Sequence, residues 1–203
     1  MLTGIILAGG RNSRMQGHNK AFLRIEGEWF IERQMKVMRT ICEQLIVVTN
    51  DPHAYSHLIK NDTTCVSDIY TGHGPLSGFH AAFSNVNTEY AWVVGCDYPL
   101  LSATAAKWML SQLITSDDDA VIPVIGGRHQ MLHGVYRPAR LLPLITQKLD
   151  SQQYRLSGLL DEISWLGLDE KDWKSANIDP QFSVDVDTKE QYTALINETE
   201  RRK

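Results

Sequence analysis

The chain has 203 residues, 43% of them hydrophobic and 22% charged, which predicts one globular domain and excludes a disordered chain. A net charge of −4 argues against a nucleic-acid-binding surface. No apolar run is long enough for a transmembrane helix, and Arg11 follows the first run too closely for a signal peptide. We therefore expect neither nucleic acid nor membrane as a partner, and a cytoplasmic location with reduced cysteines.

Apolar runs typical of buried strands alternate with segments of helical periodicity. The predicted strands are 2–7, 44–49, 64–66, 90–95, 120–125 and 131–136. The predicted helices are 29–40, 78–84, 103–114, 138–149 and 191–197. Gly126 and Gly127 predict a hairpin turn between the last two strands. This alternation predicts a single α/β domain, with helices on both faces of a mostly parallel sheet and ligands at the strands' carboxyl ends.

The first strand leads directly into the segment 7–20, which reads LAGGRNSRMQGHNK. Gly9 and Gly10 let backbone N–H groups approach a phosphate, and Arg14 and Lys20 would neutralise its charge. The segment is neither a Walker loop nor a GxGxxG motif. A tight turn with surface cations is the alternative, but two cations in the same loop favour phosphate binding.

Asp97 follows the predicted strand 90–95, at the edge where ligands bind. Proteins hold Mg²⁺ with one or two carboxylates together with phosphate oxygens of the substrate. We therefore predict that Asp97 is a Mg²⁺ ligand. A turn or helix-capping aspartate is the alternative, although Ser102 is the better cap for the next helix.

Two other loops follow predicted strands at the same edge. Asp68 opens the glycine-containing loop 68–78, whose backbone could lie against a ligand and in which Ser77 could cap a helix; a surface loop is the alternative. Asn50 could contact a nucleobase edge, but the Asn-Asp-Pro sequence is also typical of a turn. Both interpretations of Asn50 remain open.

In this order, these motifs resemble those of the molybdenum cofactor guanylyltransferases. The matching segments are 7–20, Gly74-Pro75-Leu76 with Gly78, Cys96-Asp97 with Pro99, 126–136 and 184–188. The resemblance spans essentially the whole chain. It implies a three-layer α/β/α sandwich with a Rossmann-like sheet, of the nucleotide-diphospho-sugar transferase type. It also implies one domain over 1–203, with a nucleotide half of about 1–115 and an acceptor half of about 116–203.

The resemblance also implies roles for individual residues. The implied nucleotide contacts are Leu7, Ala8, Gly9, Gly10, Lys20, Asn50, Asp68 and Asp97. Asn50 and Asp68 would lie at the guanosine, and Asp97 would hold Mg²⁺. Lys20 would stabilise charge around the α-phosphate, and Arg14 would hold the departing pyrophosphate, so that Arg14, Lys20 and Asp97 are the implied catalytic residues.

The implied reaction is transfer of GMP from GTP to the terminal phosphate of molybdenum-molybdopterin, with release of pyrophosphate. A phosphate monoester is already ionised at neutral pH, with a second pKa of about 6, so no strong general base is needed. The implied partners are GTP, a molybdopterin-type acceptor, and other proteins of molybdenum cofactor biosynthesis or proteins that accept the cofactor. The alternatives are a CTP- or sugar-phosphate-dependent nucleotidyltransferase and a non-catalytic nucleotide-binding module.

The chain departs from the family pattern at two places. Asn19 stands where the family usually has Asp, and Asp185 and Asp187 stand where it usually has Asn. The second departure lies on the implied acceptor side. Two carboxylates there would repel a phosphorylated acceptor unless a cation intervenes. The departures therefore bear on the acceptor more than on the nucleotide.

Overall fold

The predicted alternation of strands and helices is present in a computed structural model that describes residues 1–9, 19–70 and 72–201. In the described chain the strands are β1 Leu2–Leu7, β2 Arg24–Ile25, β3 Glu28–Trp29, β4 Gln44–Val48, β5 Thr63–Val66, β6 Tyr90–Gly95, β7 Ala120–Ile125, β8 Arg128–His129, β9 His133–Tyr136 and β10 Trp165–Leu168. The α-helices are α1 Phe30–Met38, α2 Pro75–Phe83, α3 Ala103–Thr115, α4 Pro138–Asp150, α5 Glu170–Ser175 and α6 Lys189–Arg201.

The main sheet is mixed and mostly parallel, as predicted. Within the described residues its order is β10-β7-β9-β6-β1-β4-β5, and β8 pairs with β7. Strands β6, β1, β4 and β5 run parallel, whereas β9 is antiparallel to both of its neighbours. The Gly126-Gly127 turn is confirmed, with φ of 56° and 72°. It joins β7 to the short β8, however, and β9 lies between β7 and β6.

The two faces of the sheet are covered by different helices. Alternate side chains of a strand point to opposite faces, so Ile6 packs in one core and Ile5 in the other. The Ile6 core includes side chains of α1, α3 and α5, and the Ile5 core includes side chains of α2 and α4. The three-layer arrangement is therefore confirmed. No described helix has the length and apolar character needed to cross a bilayer.

Helix α2 begins at Pro75, three residues before the predicted start. Proline suits the first position of a helix because that position needs no N–H donor. Gly74, with φ of 80°, precedes it. Ser77 therefore lies inside the first turn of α2, and the prediction that it caps the helix is wrong.

Helix α6 brings a distant part of the chain back to the amino-terminal third. Leu195 of α6 and Val186, which precedes the helix, pack against Ile25 and Phe30 in a third apolar cluster. The hydroxyl of Tyr192 donates a hydrogen bond to the carbonyl oxygen of Arg24 at 2.6 Å. This packing holds the segment 184–188 beside the carboxyl end of β6.

Candidate active site

Four parallel strands end at the same level of the sheet. Leu7 at the end of β1 lies opposite both Val48 of β4 and Gly95 of β6, and Val48 lies opposite Val66 of β5. Strands are spaced about 4.8 Å apart, so these four ends span about 14 Å. The predicted nucleotide contacts that follow the strand ends are Ala8, Gly9, Asn50, Asp68 and Asp97. The sheet thus brings them to one edge.

The loop after β1 begins with backbone held by the neighbouring strand. The N–H of Ala8 donates to the carbonyl oxygen of Val48 at 2.9 Å. Gly9 is exposed, and a side chain placed there would meet only the Val48 oxygen, at 3.9 Å. Gly9 therefore leaves open space at the edge where a ligand can approach. The predicted site residues Gly10 and Arg14 lie outside the described residues.

Asn19 anchors the 3-10 helix Lys20–Phe22. Its side-chain oxygen accepts a hydrogen bond from the N–H of Ala21 at 3.0 Å. Its side-chain nitrogen donates to the hydroxyl of Tyr55 at 2.8 Å. A side-chain amide can accept and donate hydrogen bonds at the same time. Asn19, one of the two departures from the family pattern, uses both bonds to fix the turn that carries Lys20.

Lys20 points between two carboxylates. Its Nζ lies 2.5 Å from Oδ1 of Asp187 and 3.5 Å from Oδ2 of Asp97. Burial lowers the pKa of Lys20, but the hydrogen bond to Asp187 and the negative charges of both carboxylates outweigh burial, so its pKa is raised. Lys20 is therefore a fixed positive charge at the strand edge.

Asp97 is a partly desolvated carboxylate at the strand edge. Its Oδ1 is buried and has no hydrogen-bond partner among the described residues. Burial raises the pKa of Asp97; Lys20 opposes this effect, and the charges of Asp187 and Asp185 add to it. A buried carboxylate oxygen without a donor is suited to a cation. No group of three metal-ligating side chains exists in the described part of the chain. The Mg²⁺-holding role of Asp97 stays a prediction.

The segment 184–188 is bonded directly to the Asp97 loop. The N–H of Val186 donates to the carbonyl oxygen of Asp97 at 2.9 Å. The N–H groups of Asp187 and Thr188 both donate to Oε1 of Gln191, at 2.7 and 2.8 Å. The Asp187 carboxylate itself pairs with Lys20, and this pairing would offset part of the repulsion that a phosphorylated acceptor meets. The acceptor-side role of Asp185 and Asp187 stays a prediction.

Asp68 and Asn50 differ in how tightly they are held. Asp68 accepts hydrogen bonds from the N–H of Tyr70 at 2.9 Å and from the hydroxyl of Ser77 at 2.6 Å, so one oxygen braces the loop itself and the other links the loop to α2. Asn50 is exposed, and the neighbouring Asp51 accepts from the N–H of Ala54 at 3.3 Å, as expected for a turn. Contacts of Asn50 and Asp68 with a nucleotide stay predictions.

Gln34 of α1 was not predicted as a site residue. It is fully buried, and its Nε2 donates to the carbonyl oxygens of Gly95 at 2.8 Å and Tyr98 at 2.9 Å. These two carbonyls flank Cys96 and Asp97. The signal in the sequence is one amide on an otherwise apolar helix face, between Ile31 and Met38. Its long-range partners could not be read from that signal.

Comparison with known proteins adds the family. The sequence profile of the MobA-like NTP transferase domain matches residues 4–164. A probable molybdenum cofactor guanylyltransferase of Bacillus cytotoxicus is 31% identical over 197 residues, which cover 96% of each chain. One from Clostridium perfringens is 37% identical over 132 residues, which cover 65% of this chain and only 64% of that relative.

Among solved structures, molybdopterin-guanine dinucleotide biosynthesis protein A of Archaeoglobus fulgidus has a similar fold. It superimposes with a TM-score of 0.82, over 98% of this chain and 99% of that chain. Its sequence identity is 15%, so the likeness shows the fold alone.

Proposed function

This chain belongs to the MobA-like NTP transferase family, and we propose that it is a nucleotidyltransferase that transfers GMP from GTP to the terminal phosphate of a molybdenum-molybdopterin acceptor. The observation that carries the proposal is the Asp97 carboxylate, whose Oδ1 is buried without a hydrogen-bond partner among the described residues, beside the Lys20 ammonium, at the strand edge that also presents Gly9. The names of the relatives support the guanylyl donor and the molybdopterin acceptor.

The proposed reaction is a single in-line displacement. An oxygen of the acceptor's terminal phosphate attacks the α-phosphorus of GTP, and the bond from that phosphorus to the β-phosphate bridging oxygen breaks. The electron pair leaves with pyrophosphate. The attacking oxygen is already ionised at neutral pH, with a second phosphate pKa of about 6, so the chain needs to supply positioning and positive charge rather than a base.

Each described site residue has a place in this proposal. Lys20, whose pKa is raised, would remain protonated and lie against the phosphates. Ala8 and Gly9 would let backbone N–H groups approach them. Asp97 would hold Mg²⁺, which supplies charge neutralisation to the phosphate oxygens when bound. Arg14, which lies outside the described residues, keeps its predicted role at the departing pyrophosphate.

The donor and the acceptor are separate parts of the proposal. Residues 7–10 read Leu-Ala-Gly-Gly, whereas the corresponding segment of cytidylyl-transferring relatives resembles Leu-Ala-Ala-Gly. Through the family resemblance, this sequence favours GTP as the donor. Proteins that deliver or receive the cofactor are proposed as further partners. We also propose a cytoplasmic location, which the three free cysteines support.

The test is pyrophosphate release with GTP, CTP, ATP or UTP, each with Mg²⁺, in the presence and absence of phosphorylated molybdopterin. We expect release with GTP and the pterin together. Release with CTP instead would reassign the base. Tight GTP binding without release under any acceptor would contradict the transfer activity and identify a nucleotide-binding module.

A further inference from the structure

The turn that carries Asp97 is held from beneath by one side chain. The turn runs from Gly95 to Tyr98, and the N–H of Tyr98 donates to the carbonyl oxygen of Gly95 at 3.3 Å. Both terminal carbonyls of the turn also accept hydrogen bonds from Nε2 of Gln34, at 2.8 and 2.9 Å. Gln34 comes from α1, on the face of the sheet that α1 covers.

The orientation of the Gln34 amide is fixed by these two bonds. An NH₂ group has two hydrogens, and each is committed to one carbonyl. The side chain is 0% exposed, and its Oε1 has no hydrogen-bond partner among the described residues. Turning the amide over would place its oxygen against two carbonyl oxygens. Gln34 thus acts as a rigid bridge between the two ends of the turn.

Backbone bonds hold the middle of the same turn. The N–H of Cys96 donates to the carbonyl oxygen of Leu7 at 3.1 Å, and that of Val186 donates to the carbonyl oxygen of Asp97 at 2.9 Å. These bonds fix the height of the turn at the sheet edge. Among the described side chains, Gln34 spans both ends of the turn.

Helix α1 also connects the turn to the segment that carries Lys20. The N–H of Phe30, the first residue of α1, donates to the carbonyl oxygen of Leu23 at 2.8 Å, directly after the 3-10 helix of Lys20. The same short helix therefore contacts the Asp97 turn through Gln34 and the Lys20 segment through its first residue. A change at Gln34 would move Asp97 relative to Lys20.

We propose that Gln34 is a positioning residue for nucleotidyl transfer, which bridges the carbonyls of Gly95 and Tyr98 and so fixes the Asp97 carboxylate relative to Lys20 and the bound phosphates. This inference rests on the proposed function, because it takes Asp97 as a residue of the reacting centre. It adds a residue of the helix layer that touches neither nucleotide nor acceptor.

The test compares Gln34→Met, which keeps side-chain length but removes both donors, with Met38→Ala. Met38 is equally buried on α1 but packs near Gly4, in the amino-terminal half of β1 rather than at the strand edge. For Gln34→Met we expect kcat to fall about 10- to 100-fold, as for a displacement of about 1 Å at a reacting centre, with KM for GTP within about threefold. For Met38→Ala we expect a lower Tm and a kcat close to that of the unaltered protein.

The outcomes separate the inference from the function beneath it. If the unaltered protein is active and Gln34→Met retains its kcat, or if Met38→Ala loses as much, the positioning role is wrong while the function stands. If the unaltered protein shows no transfer, the proposed function fails. Amide hydrogen exchange of Cys96 and Tyr98 then decides: about tenfold faster exchange in Gln34→Met but not in Met38→Ala retains the bridge, and equal exchange overturns it.

A second variant covers the case in which Gln34→Met does not fold. Gln34→Glu keeps the shape of the side chain but places a carboxylate against two carbonyl oxygens. We expect its kcat, relative to the unaltered protein, to rise as the pH is lowered from 8 to 6, because a protonated carboxyl regains one donor. A ratio that is independent of pH would contradict the bridging role.

Discussion

Asp97, to which we assign a role in nucleotidyl transfer, carries a cost in stability. Its pKa is raised chiefly by burial, so the folded protein binds its proton more tightly than the unfolded chain does. A carboxyl group of this kind destabilises the fold once the pH exceeds its ordinary pKa. Residues of this kind are kept for chemistry rather than for folding.

We therefore predict that Asp97→Asn raises Tm at pH 7 while it lowers kcat. The amide removes the desolvated charge, which raises the free energy of unfolding. In a chain of this size, a change of 1 kcal/mol in that free energy shifts Tm by about 2–4 °C. Loss of one electrostatic group at a reacting centre costs about 10²–10³-fold in kcat. Thermal unfolding and pyrophosphate release measure the two effects, and an active Asp97→Asn protein would remove Asp97 from the mechanism.

His133 predicts a pH dependence of stability that is separate from activity. It is fully buried on β9, beside the rings of Tyr98 and Phe182, and neither ring nitrogen has a hydrogen-bond partner among the described residues. Burial lowers the pKa of His133 from 6.5 to about 3. The unfolded chain therefore binds a proton between these values when the folded protein does not, and stability is lost as the pH falls through this window.

The prediction is that His133→Phe flattens this loss. Between pH 6 and 4 the free energy of unfolding of the unaltered protein should fall relative to the variant by about 1.4 kcal/mol per pH unit. Denaturant unfolding at several pH values measures the difference. Substitution of the exposed His53 by Gln is the control and should leave the slope unchanged. Equal slopes in His133→Phe and the unaltered protein would show that His133 does not titrate in this way.

Single site residues were predictable where they lie in a loop that follows a predicted strand. Lys20 and Asp97 were predicted from loops at strand ends, and the structure brings their side chains within 3.5 Å. The contact of Lys20 with Asp187 was not predictable, because 167 positions separate the two residues and no spacing rule reaches that far. Gln34 was missed for the same reason, since its partners lie 61 and 64 residues away.

Among the elements, α4 contains a proline in its interior. Pro143 is exposed, five positions after the first residue of the helix, and has no N–H to donate to the preceding turn. An interior proline costs about 3 kcal/mol relative to alanine, whereas its restriction of the unfolded chain returns only about 0.4–1 kcal/mol. The folded-state cost is the larger effect.

We predict that Pro143→Ala raises the free energy of unfolding by about 1–2 kcal/mol, because the helix has adapted in part to the proline. Denaturant unfolding at pH 7 measures this change. Gln147→Ala, at an exposed position further along the same helix, is the matched control and should stay within about 0.5 kcal/mol. A destabilised Pro143→Ala protein would show that the proline suits the local backbone.

Elements were predictable in proportion to their length and burial. The strand 90–95 was predicted with its observed bounds, because a strand that is buried on both faces of the sheet is a continuous apolar run. The β2–β3 hairpin has strands of two residues each, and three of the four residues of β10 are only partly buried, so neither shows a clear apolar pattern in the sequence. The insertion of β9 between β6 and β7 depends on pairing across the sheet, which local sequence does not encode.

At the scale of the whole molecule, the site joins segments that are far apart in the chain. A ligand that binds the folded site should therefore stabilise the whole fold. A ligand at 100 times its Kd adds about 2.7 kcal/mol, which corresponds to roughly 5–10 °C in Tm for this chain length. We predict a rise of this size for GTP with Mg²⁺, measured by calorimetry.

CTP at the same concentration is the control and should give a smaller shift. Asp97→Asn should lose most of the effect of adding Mg²⁺ with GTP. If GTP shifted only one of two separate unfolding transitions, the two halves of the chain would be independent, contrary to the prediction of one domain over 1–203. The boundary near residue 115 between a nucleotide half and an acceptor half stays a prediction.

The ion pair of Lys20 and Asp187 can form only late in the synthesis of this protein. Ribosomes add about 5–20 residues per second, so Asp187 is made roughly 8–33 s after Lys20. During that interval the nascent chain can form the parallel strands from β1 to β6, but its lysine lacks this carboxylate partner. In a partly translated chain the Lys20 ammonium therefore lacks this partner, and on the proposed function the reaction centre is complete only after the segment around Asp187 has been made and docked.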